Sequence, residues 1–203
     1  MKKLIAITVP QILDDEHLLI SSVLEKGIHR LHLRKPEASA SEMRNILEKI
    51  PVCYHNRISL HDNFSLVEEF PNIGGLHLNR RNSDIPKGFN GQISRSCHSL
   101  EEIRNCSNMD YLFLSPIFNS ISKEGYESGF TIEELESASD KGIINDKVFA
   151  LGGIDEKTIP ELHSISFGGV AVLGALWGNN PSIHNINELI KRLNDLMICL
   201  QQY

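Results

Sequence analysis

Val148-Phe149-Ala150-Leu151-Gly152-Gly153-Ile154 and Gly168-Gly169-Val170-Ala171-Val172-Leu173-Gly174-Ala175-Leu176 are two short apolar runs, each closing on small residues. Runs of this length with β-branched members and terminal glycines are the pattern of strands buried on both faces. Glycines at strand ends let backbone N–H groups turn outward and approach a ligand closely. If these are the last two strands of an eight-stranded βα barrel, they border the place where such barrels often hold a phosphate. A phosphate ester held by amides near Gly153 and Gly174 is therefore the functional expectation. The alternative, glycines that only relieve crowding where strand meets helix, stays open.

Working outward, comparable apolar runs begin near Leu4, Arg30, Ile58, Gly75, Gln92 and Tyr111, with helical or loop material between them. Together with the runs at Val148 and Gly169 they give an eightfold strand–helix rhythm without a break in composition. That rhythm predicts a parallel sheet closed by right-handed crossovers: an α/β fold, a (β/α)8 TIM barrel, as one domain over residues 1–203. Helical periodicity marks residues 15–26 and 41–50, and the apolar stripe Ile183, Ile186, Leu189, Ile190, Leu193, Met197 and Leu200 marks a closing helix. Ser99 with Glu102, and Thr131 with Glu134, are helix-start signals. The fourth unit is irregular. Residues 79–91 contain Pro86, Gly88 and Gly91 and no apolar period, which predicts a reduced fourth helix. Residues 119–130 read as a mobile loop at the catalytic end.

The 203 residues are 41% hydrophobic and 23% charged, ordinary for a globular chain with a sizeable core. A net charge of −6 argues against nucleic acid as a partner, though a local cationic cluster can still take an anionic substrate. No apolar run approaches the ~20 residues of a membrane span. The N-terminal run stops at Val9 without a cleavage pattern, so it reads as a first strand rather than a signal peptide. Cys53, Cys97, Cys106 and Cys199 lack zinc-site spacing and fit reduced thiols in a cytoplasmic protein. The chain is compatible with a homo-oligomer.

In a barrel the C-terminal strand ends share one mouth. Those ends supply Arg34 and Lys35, His61-Asp62-Asn63, His77 and Asn79, Arg95-Ser96-Cys97-His98, Ser115 with Ser120, Ser122 and Lys123, then Gly152-Gly153 and Gly174-Ala175. Arginine forks, lysine point charges and hydroxyls suit phosphate oxygens. Asp62 is the clear acid among them, a Mg²⁺ ligand or charge partner, with capping of a following helix at Phe64-Ser65-Leu66-Val67 as the alternative. His77 and His98 read more readily as hydrogen-bonded structural residues, Cys97 as packing, and Trp177 as a cover over core.

Several segments resemble one family: Leu31-His32-Leu33-Arg34-Lys35, Leu60-His61-Asp62-Asn63, Gly75-Leu76-His77-Leu78, Ser94 to Glu102, Asp110 to Phe118, Ser122-Lys123 and Ala150 to Ile154. In this order they are similar to the thiamine phosphate synthases and their thiazole tautomerase-like relatives. The resemblance implies a transferase of thiamine biosynthesis that joins a hydroxymethylpyrimidine diphosphate to a thiazole phosphate and releases diphosphate with Mg²⁺. By position, it implies Arg34 and Lys123 on the diphosphate, Asp62 on Mg²⁺ and Ser96 on the pyrimidine. Ser120 and Ser122 would meet phosphate or thiazole, and Gly153 and Gly174 would cradle the thiazole phosphate.

The departures from the family pattern are specific. Its Gln-x-Arg-x-Lys reads His32-Leu33-Arg34-Lys35-Pro36, its Asn-Asp reads His61-Asp62, and its second metal acid falls on Asn82, with Asp84 nearby. Lys35 adjoins Arg34 but would point to the other face. His32 and His61 are expected chiefly as diphosphate or pyrimidine contacts, and His77, where it is not purely structural, as a further substrate- or phosphate-binding residue. The tautomerase branch expects a proton-moving His where this chain has Pro116. A tautomerase-like isomerase using another base, or a barrel that binds thiazole or thiamine phosphate without turnover, remain the alternatives.

Overall fold

The computed structural model describes residues 2–106, 108–118 and 129–202. Eight parallel strands follow one another around a closed barrel: β1 Lys3–Ile7, β2 Arg30–Leu33, β3 Ile58–Leu60, β4 Gly75–Leu78, β5 Gln92–Cys97, β6 Tyr111–Leu114, β7 Val148–Leu151 and β8 Gly169–Val172. β8 pairs back onto β1 with Leu4 opposite Val170, which closes the ring. All but β1 begin at the residue named from the sequence, and β1 begins one residue earlier. Strands this short, buried on both faces, leave an apolar run with little alternation as their only trace.

Alternate residues divide the barrel wall. Leu31, Leu33, Leu60, Leu76, Leu112, Leu114, Val148 and Val170 face outward into the main core beneath the helices. The inward residues split into two unlike halves. Ile5, Ile7, Tyr111, Phe113, Phe149 and Ala171 form an apolar cluster. Against it stand the buried polar residues Arg30, His32, Ser59, His61, His77 and Ser94, from β2 to β5 and the end of β3. Gly75 makes this polar half possible. A Cβ there would lie 2.4 Å from Ser59 Oγ and 3.1 Å from Arg30 Nη1.

The helices are α1 Glu16–Glu25, α2 Ala40–Lys49, α3 Leu100–Asn105, α4 Ile132–Asp140, α5 Gly174–Trp177 and α6 Ile186–Gln201. Ser39 with Glu42 and Thr131 with Glu134 form reciprocal capping boxes. Ser99 caps α3, but Glu102 turns its carboxylate to the backbone N–H of His98 instead. Among the described residues no helix lies between β4 and β5, as the Pro- and Gly-containing segment predicts. The third and seventh crossovers carry only 3₁₀ turns, Phe64–Glu68 and Ile159–Leu162. On α6 the buried face is Leu189, Leu193, Leu196 and Leu200, so Leu196 replaces Met197 in the fully buried stripe. Trp177 is buried under it, its Nε1–H donating to Ile7 O at 2.7 Å. No described helix is long and apolar enough to cross a membrane.

Candidate active site

The C-terminal strand ends open onto a cavity of about 570 Å³ lined by Arg34, His61, Asp62, His77, Arg80, Arg81, Arg95, Ser96 and His98, with Ile7, Phe113, Leu151 and Leu173 as its apolar wall. Several of the polar members are held by distinct local devices. Thr8 clamps the backbone of Arg34: its Oγ1 accepts from Arg34 N at 2.9 Å and donates to Arg34 O at 3.2 Å. Lys35, next in sequence, points away from the mouth. It is fully buried, donating to Val9 O, Gln11 O and the Glu16 carboxylate at the start of α1. Burial pushes the Lys35 amine down and the Glu16 carboxyl up, and each partner opposes the other's shift.

Asp62 does not cap a helix. The residue at the start of the following 3₁₀ turn is Asn63, in the left-handed conformation at φ 56° and without a side-chain cap. Asp62 Oδ1 instead accepts from Asn82 Nδ2 at 2.8 Å and from Arg81 Nη2 at 3.4 Å. Its Oδ2 is buried with no hydrogen-bond partner. Burial raises the Asp62 pKa, while Arg81 and Arg34 pull it down. Asn82 is positioned by Asn79, whose Oδ1 accepts from the backbone N–H of both Arg81 and Asn82 and whose Nδ2 donates to His61 O. Asp84 does not reach Asp62; its carboxylate takes the neighbouring Ser83 hydroxyl at 3.4 Å on the exposed loop. An unpartnered carboxylate oxygen beside a phosphate-sized cationic wall fits Mg²⁺, which takes one or two carboxylates and completes its shell with water and phosphate oxygens.

The histidines form one buried group. His32 is fully enclosed beneath the cavity and does not line it; its Nδ1 meets His61 Nε2 at 2.8 Å and its Nε2 meets Tyr111 OH at 2.6 Å. That placement corrects the expectation of a direct substrate contact from His32. His77 meets Ser94 Oγ through Nδ1 at 2.9 Å and Ser96 Oγ through Nε2 at 3.0 Å. Burial holds His32 and His61 well below the usual imidazole range and brings His77 down to about 3. Their ligand atoms lie within 4.8 Å of one another, a spacing that metal sites share. The His61 and His77 rings, however, lie face to face at 4.2 Å and 21°, so their in-plane lone pairs run side by side rather than converging. Arg30, Arg34 and Arg95 also disfavour added positive charge among the three rings.

On the opposite rim, Leu151 and Leu173 lead directly into Gly152-Gly153 and Gly174. Gly152 has φ 96°, and a Cβ on it would approach Pro116 Cα to 2.9 Å; Gly153 has φ 66°. Both conformations favour glycine. Gly174 differs, because a Cβ there would meet no atom within 4 Å. Of the residues expected in the site, Arg34, Asp62, His61, His77 and Ser96 come together in the cavity, whereas Gly153 and Gly174 do not line it and only follow its lining residues Leu151 and Leu173 in sequence. Ser120, Ser122 and Lys123, like most of the expected loop, lie outside the described residues. Arg81, Thr8 and Tyr111 were missed by the sequence reading, while Asn79, read there as a strand-end residue, acts by positioning Asn82 and His61. The Arg80-Arg81 pair directly beyond β4 was the available signal for the first of these.

A closed parallel barrel with a cationic, apolar-walled mouth at its strand ends is an arrangement suited to enzymes that act on phosphorylated small molecules. The family model described as thiamine monophosphate synthase matches residues 4–176, and the chain belongs to that family. Its function is accordingly thiamine phosphate synthesis, a transferase step of thiamine biosynthesis. The chain is similar to a thiamine phosphate pyrophosphorylase crystal structure from Bacteroides thetaiotaomicron: 40% identity, 97% of this chain and 98% of that one, TM-score 0.83. The thiamine-phosphate synthase of Limosilactobacillus reuteri is 25% identical over 81% of this chain and 77% of its own length. A thiamine phosphate pyrophosphorylase from Pyrococcus furiosus shares the fold at TM-score 0.72 and 22% identity, over 96% of each chain.

Proposed function

We propose that the mouth joins a hydroxymethylpyrimidine diphosphate to a thiazole phosphate and releases diphosphate, with the two phosphorylated partners held at opposite rims. The observation that carries this reading is the unpartnered Oδ2 of Asp62, placed among Arg34, Arg80, Arg81 and Arg95 in one cavity. Charge must be neutralised where the diphosphate departs, so donors fixed there before reaction stabilise the transition state more than the bound substrate. Arg34, with its backbone clamped by Thr8, serves that position, and Lys123 joins it by family resemblance. Asp62 would hold Mg²⁺ through Oδ2, with Asn82 fixing the carboxylate through Oδ1; when bound, the ion supplies further neutralisation of the leaving diphosphate.

Ser96, held by His77, meets the pyrimidine, and His61 faces the same end of the cavity. Across the mouth, the amides after β7 and β8 cradle the thiazole phosphate at Gly153 and Gly174. Backbone amides need no particular side chain there, and glycine lets a phosphate come close. The enzyme works in the cytoplasm on this reading. Incubating the purified protein with both substrates and Mg²⁺ yields thiamine phosphate and diphosphate in equal amounts, and a chelator stops both. Saturating substrates with no product, while thiazole phosphate still binds, would overturn it.

A further inference from the structure

The polar half of the barrel interior contains a chain of hydrogen bonds with a fixed start. Arg30 Nη1 can only donate, and it reaches Ser59 Oγ at 3.3 Å. Ser59 Oγ meets Tyr111 OH at 3.3 Å, Tyr111 OH meets His32 Nε2 at 2.6 Å, and His32 Nδ1 meets His61 Nε2 at 2.8 Å. Each link has room for one proton. Ser59 Oγ meets only Arg30, which cannot accept, and Tyr111 OH among the described residues, so the arrangement that leaves no buried proton without an acceptor sends the Ser59 proton to Tyr111 and the Tyr111 proton to His32 Nε2. A neutral His32 then carries its proton on Nδ1 and donates to His61 Nε2. His61 in turn must keep its own proton on Nδ1. That atom has no partner among the described residues, and His61 lines the cavity.

Resting on the transferase reading above, we propose that Tyr111 and His32 are positioning residues that set His61 as a neutral Nδ1–H hydrogen-bond donor toward the pyrimidine end of the cavity. A second short chain sets the complementary group. Ser94 Oγ donates to Leu76 O at 3.3 Å, so it accepts from His77 Nδ1–H at 2.9 Å. His77 Nε2 then accepts the Ser96 hydroxyl at 3.0 Å, which leaves Ser96 only lone pairs to offer a ligand. The floor therefore presents one donor and one acceptor. That pair recognises a heteroaromatic edge carrying a ring nitrogen beside an amino group, and it selects against an edge with the pattern reversed.

The test reads the tautomers directly. In ¹⁵N-histidine-labelled full-length protein, ring-nitrogen shifts are expected to place the proton of His61, and those of His32 and His77, on Nδ1. Tyr111→Phe keeps the ring but removes the donor to His32; it is expected to give His61 a mixed tautomer signal. It should also raise KM for the pyrimidine diphosphate roughly tenfold, the worth of one hydrogen bond, with kcat little changed. His32→Gln can accept from Tyr111 and donate to His61 within a single amide, so it should restore the wild-type His61 signal that His32→Leu loses. An Nε2–H tautomer of His61 in the wild type, or a Tyr111→Phe variant with an unchanged His61 signal, overturns the proposal. Failure of the wild type to make thiamine phosphate overturns the transferase reading instead, and the tautomer result stands apart from it.

Discussion

The two rims of the mouth are built by opposite means. From β2 to β5 the cavity is lined by side chains, Arg34, His61, Asp62, His77, Arg95 and Ser96; Asn82 fixes Asp62, Ser94 and Ser96 bond to His77, and Thr8 holds the Arg34 backbone. At the ends of β7 and β8, among the described residues, only Leu151 and Leu173 bring side chains to the cavity, and the glycines that follow them, Gly152-Gly153 and Gly174, are the proposed backbone rim. The interior beneath repeats the contrast, with histidines and serines under the first rim and Ile5, Ile7 and Phe149 under the second. A rim of side chains can change its recognition by substitution, as the cavity-lining His61, held from beneath by His32, illustrates. A rim of amides can change only by gaining a side chain. The first should therefore break on deletion and the second on addition.

The largest effect expected from deletion is on stability. Lys35→Ala leaves the Glu16 carboxylate buried without its partner, and removing one member of such a pair costs about 3–5 kcal/mol. Urea unfolding measures it. A smaller loss should come from acid. Burial holds His77 down to about 3, against about 6.5 in the unfolded chain, so the unfolded state gains the proton first. Stability is complete above pH 6.5 and falls as pH drops toward 3, by roughly 3 kcal/mol at pH 4 from this residue. His29, pushed down to about 4 by burial and by Lys3 and Arg30, adds in the same direction. Unfolding curves at pH 7, 5 and 4 should show the decline, and a His77→Gln variant should flatten it. Arg34→Ala should lower kcat/KM by about 10²-fold, the scale for one fixed donor to developing charge, with little change in melting temperature. A loss confined to KM would mean that Arg34 binds substrate and transition state equally.

The same contrast explains what could be read from the chain. Strand starts were legible because parallel strands buried on both faces leave compact apolar runs, and the glycine ends after β7 and β8 stand beside such runs in sequence. The 3₁₀ turns at Phe64–Glu68 and Ile159–Leu162 were not legible as such, because a single turn is too short to show a helical period. Asn82 read only as a missing carboxylate. Its use as a donor to Asp62 depends on the Asn79 turn, which has no signature of its own. The pairing of His32 with Tyr111 joins β2 to β6 across the barrel interior, so it follows from closure of the barrel and not from local spacing.

The sharpest test of the backbone rim is the mildest substitution. Gly152→Ala would be ambiguous, since its φ of 96° and its approach to Pro116 would damage the fold whatever binds there. Gly174 carries no such constraint: its φ is not positive, and a Cβ there meets nothing within 4 Å. Nothing in the fold requires glycine at this first residue of α5, and alanine is the better helix former. Gly174→Ala should therefore leave the melting temperature unchanged or slightly raised. If the amides at this rim receive a phosphate, the new methyl stands in its approach and KM for the thiazole phosphate should rise about tenfold, one hydrogen bond's worth. KM for the pyrimidine diphosphate, held at the other rim, should not move. Unchanged kinetics for both substrates would return Gly174 to a packing role and would place the thiazole phosphate on side chains as well.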